Sequence, residues 1–213
     1  MKRVLAVLLA LVATVSITAQ AQSRPTPGTE YRMINPAQPV SGTKIEVIEF
    51  FNYGCPHCYE FEPLLKSWLA RKPVDVEFRY VPAVFNQRML PFATLFYALE
   101  EMGLHDRLHM KVYAAIHEQG LRLDDKAVLM RWVADQGVDA EKFHKVYDSF
   151  SVGTRAQRAV QMTRNYRVPG TPYMVINGKY LTGPSMTLKA DGSVDANRFV
   201  QVVNGLIDME RKR

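Results

Sequence analysis

The sequence predicts an α/β fold in which a small β-sheet core is interrupted by a long helical block. Three observations carry this reading. An apolar, strand-like run over residues 45–51 leads through Cys55-Pro56-His57-Cys58 into a helical pattern and then a second strand. From residue 82 to 166 the strand signals vanish and helical ones replace them. Strand character returns at 173–176, followed by the turn pair Asn177-Gly178 and a last amphipathic helix.

At the N-terminus, Lys2 and Arg3 precede an apolar stretch from Val4 to Val15 broken only by Thr14, and Ala19-Gln20-Ala21 offers a small-x-small cleavage site. This is the pattern of a secretory signal peptide, with an apolar core short for a membrane span. Residues 1–21 are therefore expected to be removed after Ala21 and the remainder exported to an oxidising space, where a disulfide persists. An uncleaved anchor is the competing reading. Residues 22–42, rich in Pro, Ser, Gly and Thr, read as an extended entry with one short strand near Tyr31–Ile34.

Ile45–Phe51 is apolar on both faces apart from Glu46 and Glu49, which suits a buried central strand. Gly54 permits a tight turn, and Pro56 falls in the first helical turn, where its missing N–H costs little. The helix that follows, from Tyr59 to Ala70, sets Phe61, Leu64, Leu65, Trp68 and Leu69 on one face. Pro63 lies inside it and predicts a kink, and Pro73 ends the element. Val74–Val81 alternates as a second strand. Gly103, Gly120 and Gly137 are spaced as C-terminal glycines of successive helices, so residues 82–166 form a helical block and not a repeat. Asn177-Gly178 predicts a hairpin into Lys179-Tyr-Leu181, and Asp195 is placed to cap a helix through Phe199, Val200, Val203, Leu206 and Ile207.

The chain has 213 residues, 47 % of them apolar, so it can bury a core without covalent staples. It has only two cysteines. A disulfide across two intervening residues closes a tiny loop and constrains the unfolded chain little, which points to chemistry rather than framework. The spacing by itself also allows half a metal site or a haem attachment. A structural zinc needs four ligands, and no second Cys pair or suitable His pair follows; His105 and His109 share a helix face and read as surface histidines. Covalent haem would need His after the second cysteine, where this chain has Tyr59. The formal net charge is +6, concentrated at Arg155, Arg158, Arg164 and Arg167 and in the closing Arg-Lys-Arg. Solvated helix faces account for these better than nucleic acid, for which no recognition motif is present. Anionic lipid headgroups or an acidic partner are the lesser alternative.

A Cys-x-x-Cys unit inside β-α-β, followed by β-β-α, is a thioredoxin-like redox arrangement. With the Pro-His dipeptide, the Glu49-Phe-Phe strand end, the helical insert and Val168-Pro-Gly-Thr-Pro172 running into the next strand, the mature chain resembles the DsbA-type thiol:disulfide interchange proteins. The resemblance implies a thioredoxin-like fold with an inserted helical domain. A first part with the cysteines covers residues 22–81, the insert 82–166, and a second part with a cis-proline loop 167–213. It implies Cys55 as the exposed reactive sulfur, stabilised as a thiolate at the helix start and by His57, and Cys58 as its buried partner. Glu49 stands where the wider superfamily places a buried acid that handles the inner cysteine's proton; Glu46 reads as a competing surface glutamate. Thr171, Pro172 and Pro56 are the expected substrate contacts, with Pro172 cis. Phe51, Tyr53, Tyr173 and Met174 are candidates for either an apolar docking surface or core packing.

By the same resemblance the protein is a periplasmic oxidase, with no cofactor and no metal beyond its own disulfide. Its partners would be unfolded or partly folded exported proteins with free thiols and a DsbB-like inner-membrane quinone reductase. A disulfide isomerase or reductase is the nearer alternative. Isomerases of the DsbC and DsbG kind carry an N-terminal dimerisation domain, for which residues 22–44 leave no room, so a monomer is expected. A non-catalytic periplasmic polypeptide-binding chaperone is the alternative from another class.

Overall fold

The computed structural model describes residues 24–212, so the expected signal peptide lies outside the described residues. The chain runs β1 (Arg32–Met33), β2 (Ile45–Phe51), α1 (Pro56–Leu69), β3 (Val76–Pro82), then α2 (Leu90–Glu101), α3 (His105–His117), α4 (Lys126–Asp135), α5 (Ala140–Tyr147) and α6 (Phe150–Asn165). It closes with β4 (Tyr173–Ile176), β5 (Tyr180–Thr182) and α7 (Ala196–Arg211). The five strands form one sheet in the order β1-β5-β4-β2-β3. Only β2 and β3 pair in parallel, as they must when a helix connects them, whereas the hairpin strand β4 returns antiparallel to β2. This is the thioredoxin-like sheet with five helices inserted between β3 and β4.

β2 is central, with β3 on one side and β4 on the other, and its side chains alternate between two cores. Val47 packs with Phe61, Leu65 and Trp68 of α1 and with Phe199, Val203 and Leu206 of α7. Ile48 and Phe50 face the other way, into the core shared with the inserted helices. Glu46 lies on that second face and is buried, bound by Arg79 Nε at 2.7 Å, so it is not the surface glutamate expected. A carboxylate this deep in a sheet is retained because the guanidinium supplies the opposite charge and the hydrogen bond together.

The helix ends follow local chemistry. Gly103 and Gly137 take positive φ (67° and 71°) just past the C-caps of α2 and α4, a conformation that costs glycine least. α1 continues through Pro63 as one helix. Arg155 is bound by Glu100 and lies over the Tyr97 ring, while Arg158, Arg164 and Arg167 are exposed. Asp195 caps α7, its carboxylate accepting from Arg198 N at 2.9 Å. Asp195→Ala is expected to lower stability by about 1 kcal/mol, the usual worth of such a cap, measured by urea unfolding.

Candidate active site

The site is assembled where β2 ends. Asn52 Oδ1 accepts from Gly54 N at 2.8 Å while its amide donates to Ala83 O at 3.1 Å, which fixes the turn between strand and helix. A Cβ at Gly54 would crowd Asn52 Oδ1 and the Phe92 ring, both at 3.1 Å, so glycine lets the turn close without displacing them. Cys55 is then the N-cap of α1, in extended conformation, and Pro56 occupies the first turn. The unsatisfied amides of that turn and the helix dipole favour an anion at the N-cap position.

The two sulfurs are free thiols in very different surroundings, Cys55 partly exposed and Cys58 fully buried. Cys55 is lowered to about 5, chiefly by a hydrogen bond from the Cys58 thiol. Burial opposes this, and the Thr171 side chain and the backbone N–H groups of Cys58 and His57 add to it. Cys58 is pushed far above the thiol range, first by burial, then by the bond it gives to Cys55, and then by the charge of Glu49. The pair therefore holds one proton and one negative charge, with the charge on Cys55 and the proton on Cys58. The Thr171–Pro172 peptide is cis and brings the Thr171 carbonyl within 3.3 Å of Cys55 Sγ. The two groups of Thr171 act in opposite senses. The carbonyl can only accept, from the thiol, whereas the hydroxyl can donate to the thiolate.

His57 is exposed, and its Nδ1 lies 3.1 Å from Glu60 Oε2. Toward the sulfur it contributes its backbone N–H and not the expected ring contact, because the second position of the helix points its side chain to solvent. Beside it a groove of about 490 Å³ runs past Phe61, Leu64, Pro172 and Tyr173 to Leu188 and Val194, which are exposed. Pro56 is exposed next to Cys55. Of the four candidates for a docking surface, Phe51, Tyr53 and Met174 are core residues, and only Tyr173 lines the groove.

Glu49 is fully buried on the α1 face of the sheet, and neither carboxylate oxygen has a hydrogen-bond partner. Burial raises it well above the carboxylate range, and the charges of Glu62 and Cys55 add to the effect. Beyond it lies a polar cluster that sequence reasoning missed. Glu62 Oε1 accepts from His109 Nε2 at 2.9 Å, and Tyr80 donates to Glu62 Oε2 at 3.3 Å. The Tyr53 hydroxyl lies 2.9 Å from His109 Nδ1; with Nε2 donating to the carboxylate, Nδ1 is the acceptor. His109, expected on the surface, is buried against Phe51, Tyr53 and Tyr80, and His105 is largely covered beside it. The clue to Glu62 was its spacing. It falls four residues after Cys58 and three before Leu65, on the buried stripe of α1. Among the described residues no group of three His, Cys, Asp or Glu is set to hold a metal ion.

A family model for the DSBA-like thioredoxin domain matches residues 46–203. The thiol:disulfide interchange protein DsbA of Bordetella parapertussis is 41 % identical over 207 residues, spanning 96 % of this chain and 96 % of that protein. Its counterpart in Burkholderia cepacia is 36 % identical over 203 residues, spanning 94 % and 96 %. The crystal structure of Pseudomonas aeruginosa DsbA superposes with a TM-score of 0.80 at 36 % identity, covering 88 % of this chain and 95 % of that one. With its Cys-x-x-Cys pair at a helix start on a thioredoxin-like sheet, the chain belongs to the DSBA-like thioredoxin-domain family of protein-disulfide oxidoreductases.

Proposed function

We propose that the protein is a periplasmic dithiol oxidase that donates a Cys55–Cys58 disulfide to newly exported proteins through a mixed disulfide at Cys55. The observation that carries this reading is the asymmetry of the sulfurs. The accessible one is a stable thiolate, hence a good leaving group, and the buried one keeps its proton. A substrate thiolate attacks Cys55 Sγ, the Cys55–Cys58 bond breaks, and its electron pair goes to Cys58, which is protonated. A second substrate thiolate attacks its own sulfur in the mixed disulfide and expels Cys55 as thiolate. The substrate is oxidised by two electrons and the enzyme is left as Cys55 thiolate and Cys58 thiol.

Glu49 supplies the proton that Cys58 takes. Thr171, cis-Pro172 and Pro56 border the reacting sulfur, and the groove beside them accepts an extended, apolar stretch of unfolded chain by backbone pairing and shape. A DsbB-like inner-membrane quinone reductase restores the disulfide. The export signal read in the sequence supports the periplasmic placement, and the completeness of the site within one chain supports a monomer.

The test is the equilibrium of the cysteine pair with glutathione, followed through the fluorescence of Trp68 and Trp132, both buried. The expected potential lies well above the roughly −270 mV of thioredoxin. A value at thioredoxin's level would make the protein a reductase, and no reaction with glutathione would leave the chaperone reading.

A further inference from the structure

The groove beside Cys55 is apolar along most of its length, with Phe61, Leu64, Pro172, Tyr173, Leu188 and Val194 in its lining. Such a surface holds an unfolded chain without choosing between charged side chains. Charge enters it at one point. Glu60 is the only carboxyl group in that lining, and no Lys or Arg lines it. The chain as a whole has the opposite sign, with a formal net charge of +6.

Local structure holds Glu60 at the cysteine end of the groove. It lies on α1 five residues after Cys55, about 7.5 Å along the helix axis, and one turn after His57. Its Oε2 accepts from His57 Nδ1 at 3.1 Å, while Oε1 has no partner among the described residues. Both side chains are largely exposed, so the pair is a surface contact and not a support of the core. The far wall of the groove is a small turn closed by the Leu188–Val194 bridge, on which the exposed Lys189 and Asp191 are of opposite sign. Asp191 Oδ1 is already taken by Ser193, from its N–H at 2.9 Å and its hydroxyl at 2.6 Å. An extended chain rises about 3.3 Å per residue. A segment whose cysteine sits at Cys55, and which runs along the groove, therefore brings the side chain about two residues away opposite Glu60.

We propose that Glu60 is a specificity-determining residue, which makes the protein favour thiols with a Lys or Arg about two residues from the reacting cysteine over thiols with Asp or Glu there. The inference rests on the thiol-oxidation reading and names the charge of the preferred substrate. Apolar side chains of the segment fill the groove, and its cation meets Glu60 Oε1 at the rim, where water still reaches both. An acidic side chain in the same place meets like charge. The bond from His57 already restricts the carboxylate, so less side-chain freedom is lost when a cation pairs with it. An ion pair this exposed is weak, so Glu60 grades substrates and does not exclude them.

The experiment measures second-order rate constants for reaction of the oxidised full chain with single-cysteine peptides, by stopped-flow Trp fluorescence at about 20 mM salt. Each peptide carries either Lys or Glu, placed two residues before or two residues after its cysteine. The proteins are wild type, Glu60→Gln, Glu60→Lys and Glu118→Gln. Differences in thiol reactivity between peptides are common to all the proteins and cancel when their Lys-over-Glu rate ratios are compared. For at least one placement, the wild-type ratio should exceed that of Glu60→Gln by roughly fivefold, the combined size of one exposed attraction and one exposed repulsion. The ratio for Glu60→Lys should fall below that of Glu60→Gln. At about 0.5 M salt, where the screening length is about 4 Å, the wild-type excess should shrink toward one. Glu118 is an exposed carboxylate held by the Tyr59 hydroxyl outside the groove lining, so Glu118→Gln should keep the wild-type ratio. Equal ratios in wild type and Glu60→Gln at both placements would overturn the proposal. So would an equal loss in Glu118→Gln, which would assign the preference to the net field around the site. A wild-type disulfide that reacts with no peptide thiol, whatever its charge, would instead sink the oxidase reading itself.

Discussion

Cys55→Ser is expected to abolish thiol oxidation altogether while leaving the fold intact, whereas Cys58→Ala is expected to accumulate mixed disulfides at Cys55. The first expectation follows from position. Cys55 is the partly exposed sulfur, at the N-cap of α1, and serine is among the preferred residues at that place, so stability should not fall. A hydroxyl cannot form a disulfide with Cys58, so oxidation of a reduced two-thiol peptide should drop to the uncatalysed rate. The Cys58→Ala protein still presents a nucleophilic sulfur, and mass spectrometry after exposure to an oxidised peptide should show one adduct, on Cys55. The same variant tests the origin of the thiolate. The Cys58 thiol makes the largest contribution to lowering Cys55, so the thiolate absorbance of Cys58→Ala should titrate at higher pH than in the reduced wild type. An unshifted titration would assign the stabilisation to the helix amides and Thr171 instead. Thiol oxidation left intact in Cys55→Ser would overturn the redox reading and favour the binding chaperone.

What could be read from the sequence was what local chemistry decides. The strand before the cysteines, the glycines past the C-caps of α2 and α4, the Asn177-Gly178 hairpin and the Asp195 cap are each specified within a few residues, and each stands in the structure. Groups satisfied by distant elements were not legible. His109 carries a charge-capable ring on a helix that looks solvated, yet it is covered because α3 packs beside α1, where Glu62 waits 47 positions earlier. Glu46 looked like a surface acid because nothing local shows that Arg79, 33 residues on, meets it across the sheet. Buried polar residues escape pattern reading in this way, since their burial depends on a partner and not on their own periodicity.

The reduced protein should gain stability over the oxidised one as pH rises from 5 toward 9, which links the site's electrostatics to its oxidising power. Cys55 has its thiol lowered from 9.0 to about 5 in the folded state. Between those values the unfolded chain binds more protons than the folded one, so the contribution of this group to stability rises with pH. It is fully present above the unfolded value and is lost as pH falls through about 5. The slope is about 1.4 kcal/mol per pH unit, so at pH 7 the thiolate contributes roughly 2–3 kcal/mol. The oxidised form has no such thiol, and the carboxylates common to both forms largely cancel in the difference. Because about 1.4 kcal/mol corresponds to about 30 mV for two electrons, the same term raises the reduction potential at pH 7 by roughly 60 mV. Urea unfolding of both redox forms at pH 5, 6, 7 and 8 measures it. The reduced-minus-oxidised difference should climb by about 2 kcal/mol between pH 5 and 7. Parallel profiles would mean that Cys55 titrates alike in the folded and unfolded chain, and the driving force of the oxidase would then have to come from strain or docking rather than from a stabilised thiolate.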